Sequence, residues 1–359
     1  MTASTLEQLR ARIDDLDEKI QALISERAEC ARQVAAAKLE AGEEVFYRPE
    51  REAEVLRRVR ERNRGPLSDE EMVRLFREIM SACLALEKPL KIAYLGPEGT
   101  YTQAAALKHF GHSVELEPLA AIDEIFREVE AGSADYGVVP VENSSEGAIS
   151  HTLDMFIRSP LKICGDVELR IHHQLLGKAG GTAEVQRVCA HQQALAQCRE
   201  WLDAHLPQAQ RVAVSSNAEA ARLASEDATV AAIASDAAAE MYGLDILAAN
   251  IEDDPGNTTR FLVVGRQAVA PSGRDKTSLL MATRNKSGAL YRLLEPIARH
   301  GVSMTRIESR PSRVGKWDYV FFVDLEGHVE DAKVAAALKE LEAEAALLKV
   351  LGSYPQAEL

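Results

Sequence analysis

A multidomain fold is predicted: an all-α segment of three helices, a larger α/β region, and a small α+β unit of the ferredoxin-like βαββαβ type. Three observations predict it. The chain has 359 residues, more than one hydrophobic core sustains. Apolar residues before Lys88 step by three and four, the spacing of helices, whereas from Lys91 short buried runs alternate with helical stretches. After Pro271-Ser272-Gly273 the runs read strand, helix, strand, strand, helix, strand. The domains expected from these breaks are 1–89, 90–268 and 275–359.

Composition narrows the function classes. An apolar content of 46% and a charged content of 27% are those of an ordinary globular protein. A net charge of −14 without any Lys/Arg block argues against a nucleic-acid surface. Cys30, Cys83, Cys164, Cys189 and Cys198 show no C-x-x-C or Cys/His ligand spacing, so no metal is expected and the thiols should be reduced. No apolar run approaches membrane-spanning length, and no h-region follows the first charge at Glu7. A cytoplasmic protein without a membrane partner is expected.

Residues 4–41 should form one helix, opened by the capping box Ser4-Thr5-Leu6-Glu7 and stopped at Gly42. Leu6, Leu9, Ile13, Leu16, Ile20 and Leu23 make a coiled-coil seam, which needs a partner, so a helical dimer is expected. The stripe then turns polar at Arg27 and Lys38. These lie eleven residues apart, about three turns, and project within roughly 20° of each other. Two cations in an apolar seam need anions; the plainer alternative is that they snorkel to salt-bridge partners. A second helix starts at Pro49 and carries Arg51 and Glu52. A third opens with Ser68-Asp69-Glu70-Glu71 and presents Met72, Leu75, Phe76, Ile79, Met80 and Cys83. Glu87 continues that apolar face, where burial should raise its pKa.

This segment resembles the all-helical chorismate mutase family through Leu9-Arg10, Glu26-Arg27, Ala37-Lys38, Arg51-Glu52 and Glu87, in that order. The resemblance implies that the cations hold the two carboxylates of chorismate, with Arg10 supplied by the other protomer. Arg10 precedes Arg27 by seventeen residues and points roughly 100° away. Lys38 and a protonated Glu87 would donate to the breaking ether oxygen, with Arg27, Arg51 and Glu52 around the substrate. Some relatives have Gln at the position of Glu87 and Ser at that of Cys83, and Arg48 stands where Asp is frequent.

In the α/β region the expected strands are Ile92–Leu95, Tyr136–Val139, Val188–Ala190, Val212–Val214, Val230–Ile233 and Phe261–Val264. Ligands in such folds sit beyond the carboxyl ends of strands. Gly96-Pro97-Glu98-Gly99-Thr100, Pro140–Ser144, Ala190-His191, Ser215-Ser216-Asn217 and Ser235 fall there. None is a G-x-G-x-x-G fingerprint, so no nucleotide cofactor is expected. The turn Asn257-Thr258-Thr259-Arg260 puts a neutral donor and a fixed cation at the mouth of a buried strand, which suits a small anion. A capped strand with a surface salt bridge is the plain alternative. His172-His173 fits sheet better than a metal pair, and His151 and His191 stay unassigned.

The region resembles prephenate dehydratase through Leu95–Thr100, Gly137–Ser145 with Glu146-Gly147, Thr152-Leu153-Asp154 and Thr259-Arg260-Phe261. That resemblance implies two α/β lobes, like a periplasmic binding protein, around a cleft. There prephenate would lose its ring hydroxyl and CO2 to give phenylpyruvate. It also implies an essential Thr259, supported by Glu142, Asn143 and Gln197. A threonine hydroxyl donates a hydrogen bond more readily than a proton, which leaves a buried Glu142 as the alternative acid. Arg260 is expected to clamp a carboxylate.

The last unit resembles an ACT regulatory domain of the dehydratase type through Gly288-Ala289-Leu290 and Glu308-Ser309-Arg310-Pro311. The family binds L-phenylalanine on these motifs at a dimer interface, and a helix starting at Gly288 would itself suit a carboxylate. Together the three resemblances imply a bifunctional enzyme under feedback control. A non-catalytic amino-acid sensor on a helical dimer is the alternative, weakened by the intact Thr259-Arg260-Phe261 and the inward cations. A mutase fused to a dehydrogenase would need the missing nucleotide fingerprint.

Overall fold

The apolar spacing of the first segment does give three helices: α1 (Ala3–Glu40), α2 (Pro49–Arg62) and α3 (Asp69–Glu87). The computed structural model describes residues 3–43, 45–145, 147–178, 180–283, 286–311 and 319–357, and side chains from Thr5 onward. The predicted cap Ser4 and the motif residue Glu146 therefore lie outside the described side chains. Ser68 caps α3 by accepting from the Glu71 N–H, and Pro49 opens α2. Residues 1–90 with 110–115 form one compact unit, and the rest of the chain forms a second. In the first, Leu56, Val73 and Cys83 are buried, while Leu6, Leu9, Ile13, Leu16, Ile20 and Leu23 along α1 remain 46–64% exposed.

The second unit holds three sheets. In chain order its first lobe contains β1 (Lys91–Leu95), α4 (Tyr101–Phe110), β2 (Glu115–Leu119), α5 (Ile122–Ala131), β3 (Tyr136–Asn143), β4 (Gly147–Ala148), α6 (Ser150–Arg158) and β5 (Lys162–Arg170). The chain then crosses to β6 (Gln174–Gly177), β7 (Arg187–His191), α7 (Gln192–Gln197), α8 (Arg199–His205), β8 (Gln210–Val214), α9 (Asn217–Glu226), β9 (Val230–Ala234), α10 (Asp236–Tyr242) and β10 (Asp245–Ala248). It returns through β11 (Thr258–Gly265). The first sheet runs β2-β1-β3-β11-β5, with β4 on β3, and the second runs β10-β6-β9-β7-β8. Two lobes joined by two crossings make a cleft, because each crossing leaves one sheet at its ligand-binding end.

The C-terminal part folds as β12 (Asp275–Ala282), α11 (Ala289–Arg299), β13 (Met304–Pro311), β14 (Tyr319–Glu326), α12 (Ala332–Glu344) and β15 (Leu347–Pro355), in the order β13-β14-β12-β15. Phe321, Val323 and Leu325 face the two helices with Leu293 and Ile297. The alternate residues Val320 and Phe322, with Leu280, Leu351 and Tyr354, share a core with Phe156, Ile163 and Leu262 of the first lobe. At Gly352 the backbones come so close that a Cβ would overlap the main chain of Ile163.

Candidate active sites

In the helical unit one cation, Lys38, and the reluctant acid do meet. Lys38 Nζ lies 3.9 Å from Glu87 Oε2, with the two side chains 18% and 10% exposed. Burial raises the Glu87 pKa, and the opposing pull of Lys38 and Arg27 does not undo it. Lys38 also donates to the Phe46 carbonyl at 3.0 Å, which fixes its reach. The other expected residues do not gather there. Arg51 points to solvent and bonds Glu54 one turn on. Glu52 turns inward instead, 3.6 Å from Arg77, and burial pushes it up to about 7. Arg10 is exposed. It precedes Lys38 by 28 positions on one helix, so about 40 Å of axial rise separates the two. Within a single chain Arg10 cannot reach this pocket.

The second site is a cavity of about 360 Å³ between the lobes, lined by Asn143, Gln197, Thr259, His173, Tyr101, His191 and Asn217 among others. Thr259 and Asn143 are direct partners across β11 and β3. Asn143 Nδ2 donates to Thr259 Oγ1 and to Asn257 Oδ1, both at 2.9 Å. Asn257 Nδ2 donates to Gln197 Oε1 at 3.2 Å, and that oxygen also lies 2.9 Å from His173 Nε2. Behind His173, Tyr101 lies 3.0 Å from Nδ1. Glu252 accepts from the His173 backbone N–H at 2.9 Å and contacts the His172 ring at 2.8 Å. Burial lowers the His173 pKa and so favours the neutral ring. It also raises that of Glu252, but the bonds from His173 and His172 win and hold it ionised.

Two expected cleft residues face the other way. Side chains of a strand alternate between faces, so with Thr259 and Asn143 in the cleft, the neighbouring Arg260 and Glu142 must point to the opposite side of the sheet. Arg260 Nη1 bonds Asp324 at 2.6 Å, Nη2 lies 3.1 Å from Asp166 and 3.0 Å from the Tyr354 hydroxyl. Arg306 Nε bonds Glu142 at 2.6 Å. Neither the carboxylate clamp expected of Arg260 nor the acid role left open for Glu142 fits this placement. Among the described residues no Lys, Arg, Asp or Glu lines the cavity. Two helix N-termini face it instead, an arrangement that favours anions: Thr100 precedes the ten-residue α4, and Ser216 caps the ten-residue α9 by accepting from the Glu219 N–H.

His191 lines the same cavity, and its Nδ1 accepts from the Gln193 N–H at 3.3 Å, so in the neutral ring Nε2 carries the hydrogen. His151 lies 3.7 Å from the surface carboxylate of Asp123. The sequence puts Asn257 in the polar mouth of a strand and reads His172-His173 as sheet, whereas both histidines lie outside the strands, in the crossing from β5 to β6. The signal available was a polar residue at a buried position, since Asn257 is 1% and His173 2% exposed.

The effector motifs of the C-terminal sheet lie apart within one chain. Gly288, with φ 74°, starts α11 on the helix side, followed by buried Ala289 and part-exposed Leu290. Glu308 pairs with Phe322 on the side turned to the first lobe, between Arg306 and Arg310, and Arg310 lies 3.4 Å from Asp154. Ser309 and Pro311 are exposed on the edge strand β13. Among the described residues no cluster of His, Cys, Asp and Glu could hold a metal ion. No described helix is long and apolar enough to cross a membrane.

Residues 9–88 match the chorismate mutase type II family, residues 92–269 the prephenate dehydratase family, and residues 277–343 the ACT domain. The chain is 60% identical, over 99% of both lengths, to a bifunctional chorismate mutase/prephenate dehydratase of Stutzerimonas stutzeri. It is 58% identical to that of Pseudomonas aeruginosa, over 99% of this chain and 98% of the other. A solved prephenate dehydratase from Arthrobacter aurescens, in complex with L-Phe, is 36% identical and superposes with a TM-score of 0.69 over 74% of this chain and 90% of that one. The chain belongs to the family of bifunctional chorismate mutase/prephenate dehydratases.

Proposed function

We propose that the helical unit rearranges chorismate to prephenate and that the cleft converts prephenate to phenylpyruvate, neither step using a cofactor. The observation that carries this reading is the coexistence in one chain of a buried Lys38–Glu87 pair and a cleft centred on Thr259. In the first step no covalent intermediate forms. Lys38 and protonated Glu87 donate to the ether oxygen as its C–O bond breaks, and Arg27 holds a carboxylate. In the second step the ring C–O bond breaks while the ring carboxylate leaves as CO2. The electron pair of the broken C–C bond becomes a ring double bond, and the hydroxide takes a proton originating in solvent to leave as water. Thr259 donates a hydrogen bond to that hydroxide, with Asn143 and Gln197 beside it.

A homodimer or larger assembly is part of the proposal, supported by the exposed α1 seam and by the distance of Arg10 from Lys38. So is inhibition by L-phenylalanine bound on Gly288-Ala289-Leu290 of one chain and Glu308-Ser309-Arg310-Pro311 of another. The route to the cleft would be the opposite faces of β3 and β11, through Glu142–Arg306 and Arg260–Asp324. A cytoplasmic location fits five free cysteines. The test is to supply chorismate, without nucleotide, to wild type and Thr259→Ala, with and without L-phenylalanine. Wild type should release phenylpyruvate, less when L-phenylalanine is present, and Thr259→Ala should stop at prephenate. Wild type that also stops at prephenate would leave only the helical unit catalytic and make the rest a sensor.

A further inference from the structure

We infer that the polar wall of the cleft is a one-way hydrogen-bond chain in which Asn257 and His173 are positioning residues, leaving Thr259 and Gln197 with hydrogens to offer the substrate. The direction is set at one end by a group that cannot reverse. The Ser145 backbone N–H can only donate, and it donates to Asn143 Oδ1 at 3.0 Å. Asn143 must therefore turn its NH2 the other way, and its two hydrogens go to Asn257 Oδ1 and Thr259 Oγ1. With its oxygen so used, Asn257 presents Nδ2 to Gln197 Oε1. The same Gln197 oxygen faces His173 Nε2, so that ring nitrogen must carry a hydrogen. The neutral ring then has a bare Nδ1 3.0 Å from the Tyr101 hydroxyl, whose single hydrogen is shared between that nitrogen and the His172 carbonyl 2.6 Å away.

Two consequences reach the cavity. Thr259 accepts from Asn143, so its own O–H is not consumed within the wall, and the accepted bond polarises it as a donor. Gln197 has its oxygen held from two sides, which leaves Nε2 buried without a protein acceptor. A buried amide N–H2 left over is costly and marks a place for a substrate oxygen. Asn257 and His173, 1% and 2% exposed, hold Gln197 in that orientation. Reversing any one amide would turn an acceptor toward the departing hydroxide.

This inference rests on the dehydratase reading, but its first test does not. In the whole enzyme labelled with 15N-histidine, the ring nitrogens of His173 are identified by their loss in His173→Gln. Wild type should show hydrogen on Nε2 and a bare Nδ1. In Asn257→Asp the carboxylate accepts from both neighbours, Gln197 turns over, and the ring should shift its hydrogen to Nδ1. A bare Nε2 in wild type, or an unchanged tautomer in Asn257→Asp, overturns the chain of directions whatever the enzyme's activity. In turnover, Asn257→Asp should lower dehydratase kcat about a hundredfold with much less change in KM. His173→Gln keeps an amide N–H near the position of Nε2 and should stay within about threefold of wild type in kcat, while His173→Leu falls well below. Equal losses in His173→Gln and His173→Leu, with mutase activity intact in both, would reduce His173 to a packing residue and overturn its role.

Discussion

In the proposed scheme the helical pocket and the interlobe cleft receive anions by opposite means. The pocket uses charge: Lys38 beside Glu87, with Arg27 acting on the same carboxyl, while Arg10 and a long apolar stripe stay exposed. In the cleft no charged side chain is found among the described lining residues, and its polar groups orient one another within a single chain. A cation acts over several ångströms and at almost any side-chain roll, so a charged site can be finished by a residue arriving from elsewhere. A neutral donor counts only when it is aimed to within a few tens of degrees. That aim has to be built in by a closed network. The difference predicts how each site should respond to mixing, pH and salt.

The largest effect should come from mixing chains. Lys38→Ala and Arg10→Ala each lack mutase activity in this scheme, but exchanged dimers would contain one intact pocket in half the molecules. Mutase activity should return to about a quarter of wild type, as two-fold symmetry dictates. Mixed Asn143→Ala and Gln197→Ala chains should regain no dehydratase activity. Assays on equilibrated mixtures decide it, and no mutase recovery would place Arg10 outside the pocket.

A smaller effect separates the sites by pH. Burial raises the Glu87 pKa above 4.5, and in the proposed mutase step only the protonated form can donate to the ether oxygen. Mutase kcat should therefore be highest below the shifted value and fall as pH rises through it, by about tenfold per unit beyond. Glu87→Gln, a donor at every pH, should flatten that limb. A profile identical to wild type would remove Glu87 from the chemistry.

Salt should give the smallest separation. Screening weakens a cation's hold on substrate, so the mutase KM should rise several-fold between about 0.05 and 0.5 M salt. Among the described lining residues the cleft has no such cation to screen, and a chain of net charge −14 repels a dianion. Its KM should stay level or fall. A parallel rise in both would mean that a Lys or Arg reaches the cleft during turnover.

Much of this was legible in the residues. The three helices, the βαββαβ order and the strands at Ile92, Val188, Val212, Val230 and Phe261 follow from apolar spacing, and Lys38 meets Glu87 because both continue apolar faces. β5 was not legible. It reads Lys162-Ile163-Cys164-Gly165-Asp166-Val167-Glu168-Leu169-Arg170, too charged for a buried strand until Asp166 is seen bonded to Arg260 and Lys276. Arg260 and Glu142 were misplaced for a related reason. Motif proximity puts them next to Thr259 and Asn143, but strand alternation sends neighbours to opposite faces. Asn257 and His173 needed the tertiary structure, since a buried network has no sequence period.

The alternation along β11 also makes that strand intolerant of changes in length. Asn257 is tied to Asn143 and Gln197, and Phe261 is buried two residues after Thr259. Between them lie only strand residues, and the pairing with β3 already shifts register once there, at Arg260–Phe261. One residue more or less would exchange the faces of Thr259 and Arg260. A guanidinium would then enter a cleft built from neutral groups, and a hydroxyl would replace it between Asp166 and Asp324. The strand can drift in sequence, but its residue count is fixed by the two surfaces it serves.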